Sequence, residues 1–276
     1  MKKIKKILVA LQLHEDLLNV LVDASAIARD FEAEITLVHA IPEVWEQTQD
    51  FNVAVRRAEQ QCSDVRRRLM QAGTRVSPNF IIEFAVPADL ILASADALDA
   101  DMVVLGAGEK STLDRLLVGA TAERVIRQAT VPVWLVRPGA PRADVQKIAC
   151  AVDFSKPAGA TLATATSLAR SYGARLHVLT VITDPDDQEQ DRRMREHMSQ
   201  FDLQGVDVEP HVVFGAPQAE ITRFARENTI DLLVVGSAGR IGIQRILNQN
   251  TAEGIVRQVP CTLLAVPPRA PHAAAS

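Results

Sequence analysis

The sequence predicts an α/β protein built as a tandem of two similar domains, each with a parallel sheet covered by helices. Length, composition and an internal repeat predict this class. The chain has 276 residues, enough for two domains of about 100 to 150 residues each. Hydrophobic residues make up 47% of the chain and aromatic residues only 4%, a balance that favours aliphatic parallel strands buried under helices.

The internal repeat is visible in the residues themselves. Residues 6–13 (KILVALQL) recur as 147–154 (KIACAVDF) at an offset of 141, and residues 121–128 (TAERVIRQ) recur as 251–258 (TAEGIVRQ) at an offset of 130. A repeat of this length indicates two copies of one domain. The change of offset indicates one insertion or deletion, which lies between the second and third strands.

Each half alternates strands with helices, beginning and ending on a strand. Runs rich in Val, Ile, Leu and Thr predict the strands, which are expected at 6–12, 34–40, 75–84, 101–106 and 131–136, then at 147–152, 174–181, 206–214, 231–236 and 261–266. Apolar residues at helical spacing follow the first strand in both copies, at Leu21, Ala24, Ile27 and Ala28, then at Leu162, Ala165, Leu168 and Ala169. Such alternation requires right-handed crossovers and therefore a parallel sheet.

The domain limits follow from the repeat. We expect a first domain at 1–138, a linker at 139–146, a second domain at 147–268 and a disordered tail at 269–276. The linker is rich in proline, glycine and charge, and the tail carries no periodic pattern.

Charge and composition exclude several classes of function. The net charge is −4 without a long run of one sign, so nucleic acid is not an expected partner. No apolar stretch approaches the roughly 20 residues that a bilayer-spanning helix needs, so we expect a soluble, cytoplasmic protein. The three cysteines are far apart in the sequence, which argues against a disulfide framework.

The segments after the fourth strand of each half are the candidate ligand-binding loops. They read VLGAGEKSTLDRLLVGATAERVIRQ at 104–128 and VVGSAGRIGIQRILNQNTAEGIVRQ at 234–258. In an open parallel sheet, ligands bind beyond the carboxyl ends of the strands, where the strand order reverses. Glycines let the backbone approach a phosphate closely, and backbone amides there form an anion site.

These loops resemble those of the universal stress protein (UspA) family, in a tandem two-domain form. ATP-binding members carry an Asp at the end of the first strand. After the fourth strand they carry a glycine, two residues, a second glycine, nine residues, and then Gly followed by Ser or Thr. The resemblance covers nearly the whole chain and includes the run LLVGATAERVIRQATVPVWLVRP around Gly119. It implies a doubly wound, Rossmann-like fold of the adenine nucleotide alpha hydrolase-like type, with five parallel strands ordered 3-2-1-4-5 in each half.

The second half keeps more of the ATP-binding pattern. Asp153, Gly236 and Gly239 match it, whereas Gln249 and Asn250 stand where Gly and Ser or Thr are expected. The resemblance implies binding of ATP or AMP, with Mg²⁺, by Asp153, Val181, Gly236, Ser237, Gly239, Arg240, Asn250 and Thr251. Structural roles remain open beside this one, since a glycine after a buried strand often serves a turn and an Asp there often accepts a local hydrogen bond.

The first half is predicted to hold a degenerate site. Gly106 and Gly119 match the pattern, but Glu109 replaces the second glycine, Ala120 replaces the Ser or Thr, and Gln12 replaces the Asp. A carboxylate in this loop would repel the incoming phosphates by several kcal/mol. ATP is therefore not expected in this half.

The remaining polar residues suggest structural roles. Thr121 and Thr251 are predicted to be helix N-caps, and His39 and His177 are expected to form structural hydrogen bonds. The six histidines never fall at positions i and i+4 of one helix, and no cysteine pair lies near them, so no metal site is predicted.

Two functions remain as hypotheses. The first is a stress-response sensor that binds an adenine nucleotide in its second half and changes its contacts with a protein partner. The alternative is a structural or interaction module in which both ATP loops are degenerate. An enzyme, such as a weak ATPase, is not expected, because no base or metal-ligand set is apparent. The tandem resembles a family dimer made covalent, so the halves are expected to form an intramolecular pseudo-dimer, and a homodimer is left open.

Overall fold

The structure, a computed structural model, describes residues 4–12, 17–41, 51–107, 119–137, 145–153, 158–183, 189–237 and 261–268. These residues form two compact units, one in each half of the chain. Within the described ranges, no helix is both long and apolar enough to cross a membrane.

The first unit contains five strands and four helices among its described residues. They are β1 (Lys6–Ala10), α1 (Leu17–Asp30), β2 (Glu34–Ile41), α2 (Phe51–Gln71), β3 (Arg75–Phe84), α3 (Pro87–Ala97), β4 (Met102–Gly106), α4 (Ala120–Gln128) and β5 (Val133–Val136). The strands lie in the order β3-β2-β1-β4-β5, and all neighbours are parallel. The predicted fold class and strand order are confirmed for this half.

The second unit has the same architecture. Its described elements are β6 (Lys147–Ala151), α5 (Ala158–Tyr172), β7 (Arg175–Ile182), α6 (Gln190–Met198), β8 (Val208–Phe214), α7 (Pro217–Glu227), β9 (Leu232–Gly236) and β10 (Thr262–Val266). The strands lie in the order β8-β7-β6-β9-β10 and are again parallel. This is the order 3-2-1-4-5 counted within the half.

The apolar residues that the sequence places at helical spacing form the buried face of the first helix in each unit. In α1 and α5, the eight apolar residues at that spacing are all buried. The central strands are buried along most of their length, as in β9, where four successive residues are buried. Strands of this kind read as continuous apolar runs because helices cover both faces of a parallel sheet.

The amino-terminal edges of the two sheets are fixed in the same way. One carboxylate oxygen of Asp101 accepts hydrogen bonds of 2.8 and 3.0 Å from the two backbone N–H groups that lead into β1. Asp231 accepts two such bonds, at 2.9 and 2.8 Å, from the residues that lead into β6. The repeat therefore preserves this support, and the differences between the halves lie elsewhere.

Two strands begin two residues later than predicted, each for a local reason. The strand expected at 131–136 begins at Val133, because the preceding Pro132 has no N–H to donate to a ladder. The strand expected at 206–214 begins at Val208, because the backbone N–H of Val206 donates within a turn to Leu203. The helix expected at 251–258 and the tail lie outside the described residues.

Candidate functional site

The carboxyl edge of the second sheet brings together four of the predicted site residues. Ala151 on β6 pairs with Val235 on β9. Asp153 and Ser237 each lie two residues further along the chain, so they lie at the same level just beyond the carboxyl ends of adjacent strands. Neighbouring strands lie about 4.8 Å apart. On the other side of β6, β7 carries Val181 to this edge. Gly236 ends β9 beside them.

The backbone at this edge is held by hydrogen bonds. The N–H of Ser237 donates to the last carbonyl of β10 at 2.8 Å, and the N–H of Val152 donates to β7 at 2.9 Å. The hydroxyl of Thr180 donates to the carbonyl of Val152 at 2.9 Å. The Ser237 and Val181 side chains are buried, whereas Asp153 is partly exposed. The Asp153 carboxylate is therefore the charged group that this described edge offers to a ligand.

The first half supports the equivalent carbonyl with a different side chain. His39 occupies the position of Thr180 in the repeat, and its Nδ1 lies 2.9 Å from the carbonyl oxygen of Leu11. A carbonyl oxygen only accepts, so this bond places the proton of the imidazole on Nδ1. The predicted structural role of His39 is confirmed.

The carboxyl edge of the first sheet has different chemistry. Val9 pairs with Val104, so Gln12 and Ala107 lie at the level that Asp153 and Ser237 occupy in the second half. A side-chain amide thus replaces the carboxylate and a methyl group replaces the hydroxyl. The edge keeps the backbone geometry of the repeat without its acidic group.

Gly106 has a packing role in the first half. A Cβ atom at this position would lie 3.3 Å from Cγ2 of Val20 on α1, which is tighter than an ordinary contact. The glycine therefore lets α1 approach the end of β4 closely.

The helix that follows the loop of the first half begins differently from the prediction. Gly119 is the N-cap of α4 in an extended conformation, without a side-chain cap hydrogen bond, and Ala120 is the first helical residue. Thr121 is thus the second residue of the helix, and its predicted N-cap role is wrong. The N–H of Gly119 donates to the carbonyl of Ala107 at 2.6 Å, which turns the chain into the helix before Thr121 is reached.

Several predicted site residues lie outside the described part of the chain. They are Glu109 in the first half, then Gly239, Arg240, Gln249, Asn250 and Thr251 in the second. The roles predicted for them remain predictions.

The structure adds His197 and Phe201 to the surroundings of Asp153. His197 lies on α6, close enough for the Asp153 charge to act on its pKa, and it is 8% exposed. Its ring centroid lies 5.4 Å from that of Phe201. The sequence did not indicate these residues, because they lie between β7 and β8, in the segment where the offset of the repeat changes, and so could not be aligned with residues of the first half.

Burial of His197 makes one pH dependence predictable. Burial lowers the pKa of this imidazole below its ordinary value, an effect that Asp153 partly opposes. The unfolded chain then takes up this proton at a higher pH than the folded chain. Stability from His197 is therefore present above pH of about 6.5 and is lost as the pH falls through the folded pKa.

We expect a His197→Phe variant to lose less stability in acid than the parent. Urea unfolding followed by circular dichroism at pH 8, 6 and 5 measures this. Equal losses in the two proteins between pH 8 and 5 would contradict the assignment to His197.

Comparisons with known proteins indicate one family. The profile described as the Universal stress protein family matches residues 3–137 and again residues 144–267. A universal stress protein of Methanocaldococcus jannaschii is 36% identical over 62 residues, which are 22% of this chain and 36% of that protein. The matches span between 21% and 38% of the lengths of the three curated relatives.

Solved structures show the same fold over the whole chain. A universal stress protein from Archaeoglobus fulgidus DSM 4304 matches 95% of this chain and 96% of its own, with a TM-score of 0.75 and 22% identity. Another from Archaeoglobus fulgidus, described in complex with dAMP, covers 49% of this chain and 99% of its own, with 25% identity and a TM-score of 0.40. The first likeness shows the fold of this chain.

Proposed function

Because the chain belongs to the universal stress protein family in both of its halves, we propose that it is a cytoplasmic stress-response protein whose second half binds an adenine nucleotide. The ligand is ATP or AMP, with Mg²⁺, and its binding alters contacts with a protein partner. One observation supports the proposal above all: the partly exposed Asp153 lies at the carboxyl edge of the sheet, at the level of Ser237, the residue that follows β9.

The chemistry of this edge suits a nucleotide. A carboxylate at the end of the first strand accepts hydrogen bonds from two ribose hydroxyls, and an ionised acceptor makes these bonds stronger than an amide does. Gly236 lets the backbone at the end of β9 approach a phosphate, since it carries no Cβ. The Asp153 charge acts on the buried imidazole of His197, so an aromatic ring that packs against Phe201 lies behind this edge.

The first half lacks this combination. Gln12 and Ala107 replace the acidic residue and the serine at the same edge, and Gly106 accommodates the approach of α1. We therefore assign nucleotide binding to the second half alone.

An interaction module without nucleotide is the second candidate function. It is favoured by Gln249 and Asn250, which depart from the family pattern, and by the burial of the Ser237 side chain. In that case the cleft at Asp153 serves packing or another small ligand.

A mass spectrum of the gently purified protein under native conditions tests the proposal first. We expect the mass of one bound adenine nucleotide per chain, or one binding site in a calorimetric titration with ATP or AMP in the presence of Mg²⁺. A chain that carries no nucleotide and produces no heat with either would contradict the proposal and favour the interaction module.

Restoring the family pattern is expected to strengthen binding. In a Gln249→Gly/Asn250→Ser variant the loop regains a residue without a Cβ and a hydroxyl donor where a phosphate is expected. One added hydrogen bond to a charged oxygen contributes roughly 1.5 to 3 kcal/mol, so affinity rises about tenfold or more. Calorimetry of parent and variant in the same salt and Mg²⁺ measures this. A folded variant that binds no more tightly than the parent would contradict the phosphate role of the loop.

A further inference from the structure

A second group of polar side chains lies on the other part of the same sheet. His177 on β7 pairs with Glu209 on β8, and Leu179 pairs with His211. Glu209 and His211 are two residues apart on one strand, so they project from the same face. His177 and Glu209 lie in the amino-terminal halves of their strands and His211 lies at the middle of β8, whereas the cleft at Asp153 lies at the carboxyl edge.

The three side chains converge on one point. Nδ1 of His177 lies 3.0 Å from Nε2 of His211. One oxygen of Glu209 lies 3.5 Å from Nδ1 of His177, and the other lies 3.8 Å from Nε2 of His211. The donor atoms all lie within 4.8 Å of one another.

These separations match the spacing of ligand atoms around a transition-metal ion. Atoms at the corners of a tetrahedron, about 2.0 to 2.2 Å from a Zn²⁺ ion, are roughly 3.3 to 3.6 Å apart. Of the observed distances, 3.5 Å falls within that range, 3.0 Å lies just below it and 3.8 Å just above it. Small side-chain rotations therefore bring all three donors to bonding distance.

A hydrogen bond between the imidazoles explains only part of this arrangement. It uses the 3.0 Å contact, but it leaves the Glu209 carboxylate facing both nitrogens at 3.5 and 3.8 Å, which is too long for hydrogen bonds. A divalent cation between the three groups satisfies both imidazoles and the carboxylate together.

The surroundings provide both support and access. The ring of Phe224 on α7 packs edge-on against both imidazoles, with centroids 5.8 Å from His177 and 4.7 Å from His211. His177 is buried, whereas the His211 and Glu209 side chains are 21% and 49% exposed. One side of the cluster is thus fixed by packing, and the other opens to solvent for ion entry and for water ligands.

The fold itself does not require these residues. At the equivalent positions the first half carries Thr36, Asn79 and Ile81. It therefore has neither the two imidazoles nor the carboxylate. The same architecture forms there on β2 and β3. The cluster is therefore a property of the second half alone.

We propose that His177, Glu209 and His211 form a binding site for a divalent transition-metal ion of the Zn²⁺ type. His177 binds through Nδ1, His211 through Nε2 and Glu209 through its carboxylate, and water completes the coordination from the exposed side. Two imidazoles and a carboxylate with an open position are a ligand set that suits Zn²⁺ and related ions.

The test is a titration of Co²⁺ into the full chain, prepared without a histidine tag and freed of metal with a chelator. Binding is followed by the visible absorption of protein-bound Co²⁺ and by its displacement with Zn²⁺. We expect one Co²⁺ per chain in the parent. His211→Ala and Glu209→Gln are each expected to weaken binding by about tenfold or more, since changes to supporting groups alone cost 10- to 100-fold.

Glu196→Gln is the matched control, because Glu196 is an exposed carboxylate of the same half on α6. It is expected to bind Co²⁺ like the parent. Glu209→Gln keeps both imidazoles and changes an exposed side chain, so it decides the outcome if His211→Ala does not fold. Absence of Co²⁺ binding by the parent, or parent-like binding by Glu209→Gln, would overturn the proposal.

Discussion

Asp153→Ala is expected to abolish measurable ATP binding, whereas Gln12→Ala is expected to leave it unchanged. The carboxylate of Asp153 is proposed to accept hydrogen bonds from two ribose hydroxyls. Each hydrogen bond to a charged group contributes about 1.5 to 3 kcal/mol, so losing both weakens binding by roughly 100-fold or more. Calorimetric titration of ATP into both variants and the parent, in the same buffer with Mg²⁺, measures the difference.

Gln12→Ala is the matched control because Gln12 and Asp153 occupy equivalent positions in the two repeats. Asp153 is partly exposed beyond the end of β6, so its removal should leave the sheet folded, which far-ultraviolet circular dichroism checks. Loss of binding in Gln12→Ala with retention in Asp153→Ala would place the nucleotide in the first half and contradict the role given to Glu109.

The fold was predictable because its signals are local and occur twice. Strands such as β4 and β9 are continuous apolar runs with an acidic residue just before them, and the same pattern in both copies removes most of the ambiguity between a buried strand and a buried helix. The sequence also allowed the prediction that Asp153 and Ser237 lie at the same edge of the sheet, since this follows from the parallel pairing of β6 with β9. The start of β8 was not predictable, because it depends on a turn in which the N–H of Val206 donates to Leu203. The start of β5 was signalled by Pro132, which has no N–H for the ladder.

The surroundings of the site were less predictable, for two physical reasons. His197 lies on α6, which corresponds to α2 by its place in the fold, but the offset of the repeat changes within this segment, so the repeat did not align His197 with a residue of the first half. His177, Glu209 and His211 are brought together by the register of β7 on β8. Two histidines at positions i and i+4 of a helix are a metal-site pattern that a sequence reveals, whereas this group combines two residues at strand spacing with a third from the neighbouring strand.

The first half contains a buried hydrogen-bonded pair between its first helix and its fifth strand that the second half does not keep. The indole Nε1 of Trp134 donates a 2.9 Å hydrogen bond to the carboxyl group of Asp23, and both residues are fully buried. The equivalent positions of the second half hold Thr164 and Leu264, where the threonine hydroxyl donates to its own helix. The two halves thus show two ways to pack the first helix against the sheet.

Trp134→Leu is expected to destabilise the protein by about 3 kcal/mol or more. The change leaves a cavity where a large aromatic side chain was, and it removes a hydrogen bond to a buried carboxyl group, worth roughly 1.5 to 3 kcal/mol. The double variant Asp23→Thr/Trp134→Leu adopts the pair found in the second half, and no carboxyl group then loses its donor. It should therefore be less destabilised than the sum of the two single variants, by about 0.5 to 3 kcal/mol. Urea unfolding of the four proteins, followed by circular dichroism, measures this difference. If the effects of the single variants add without a remainder, the hydrogen bond between Trp134 and Asp23 contributes nothing to stability, and the cost of Trp134→Leu is that of the cavity alone.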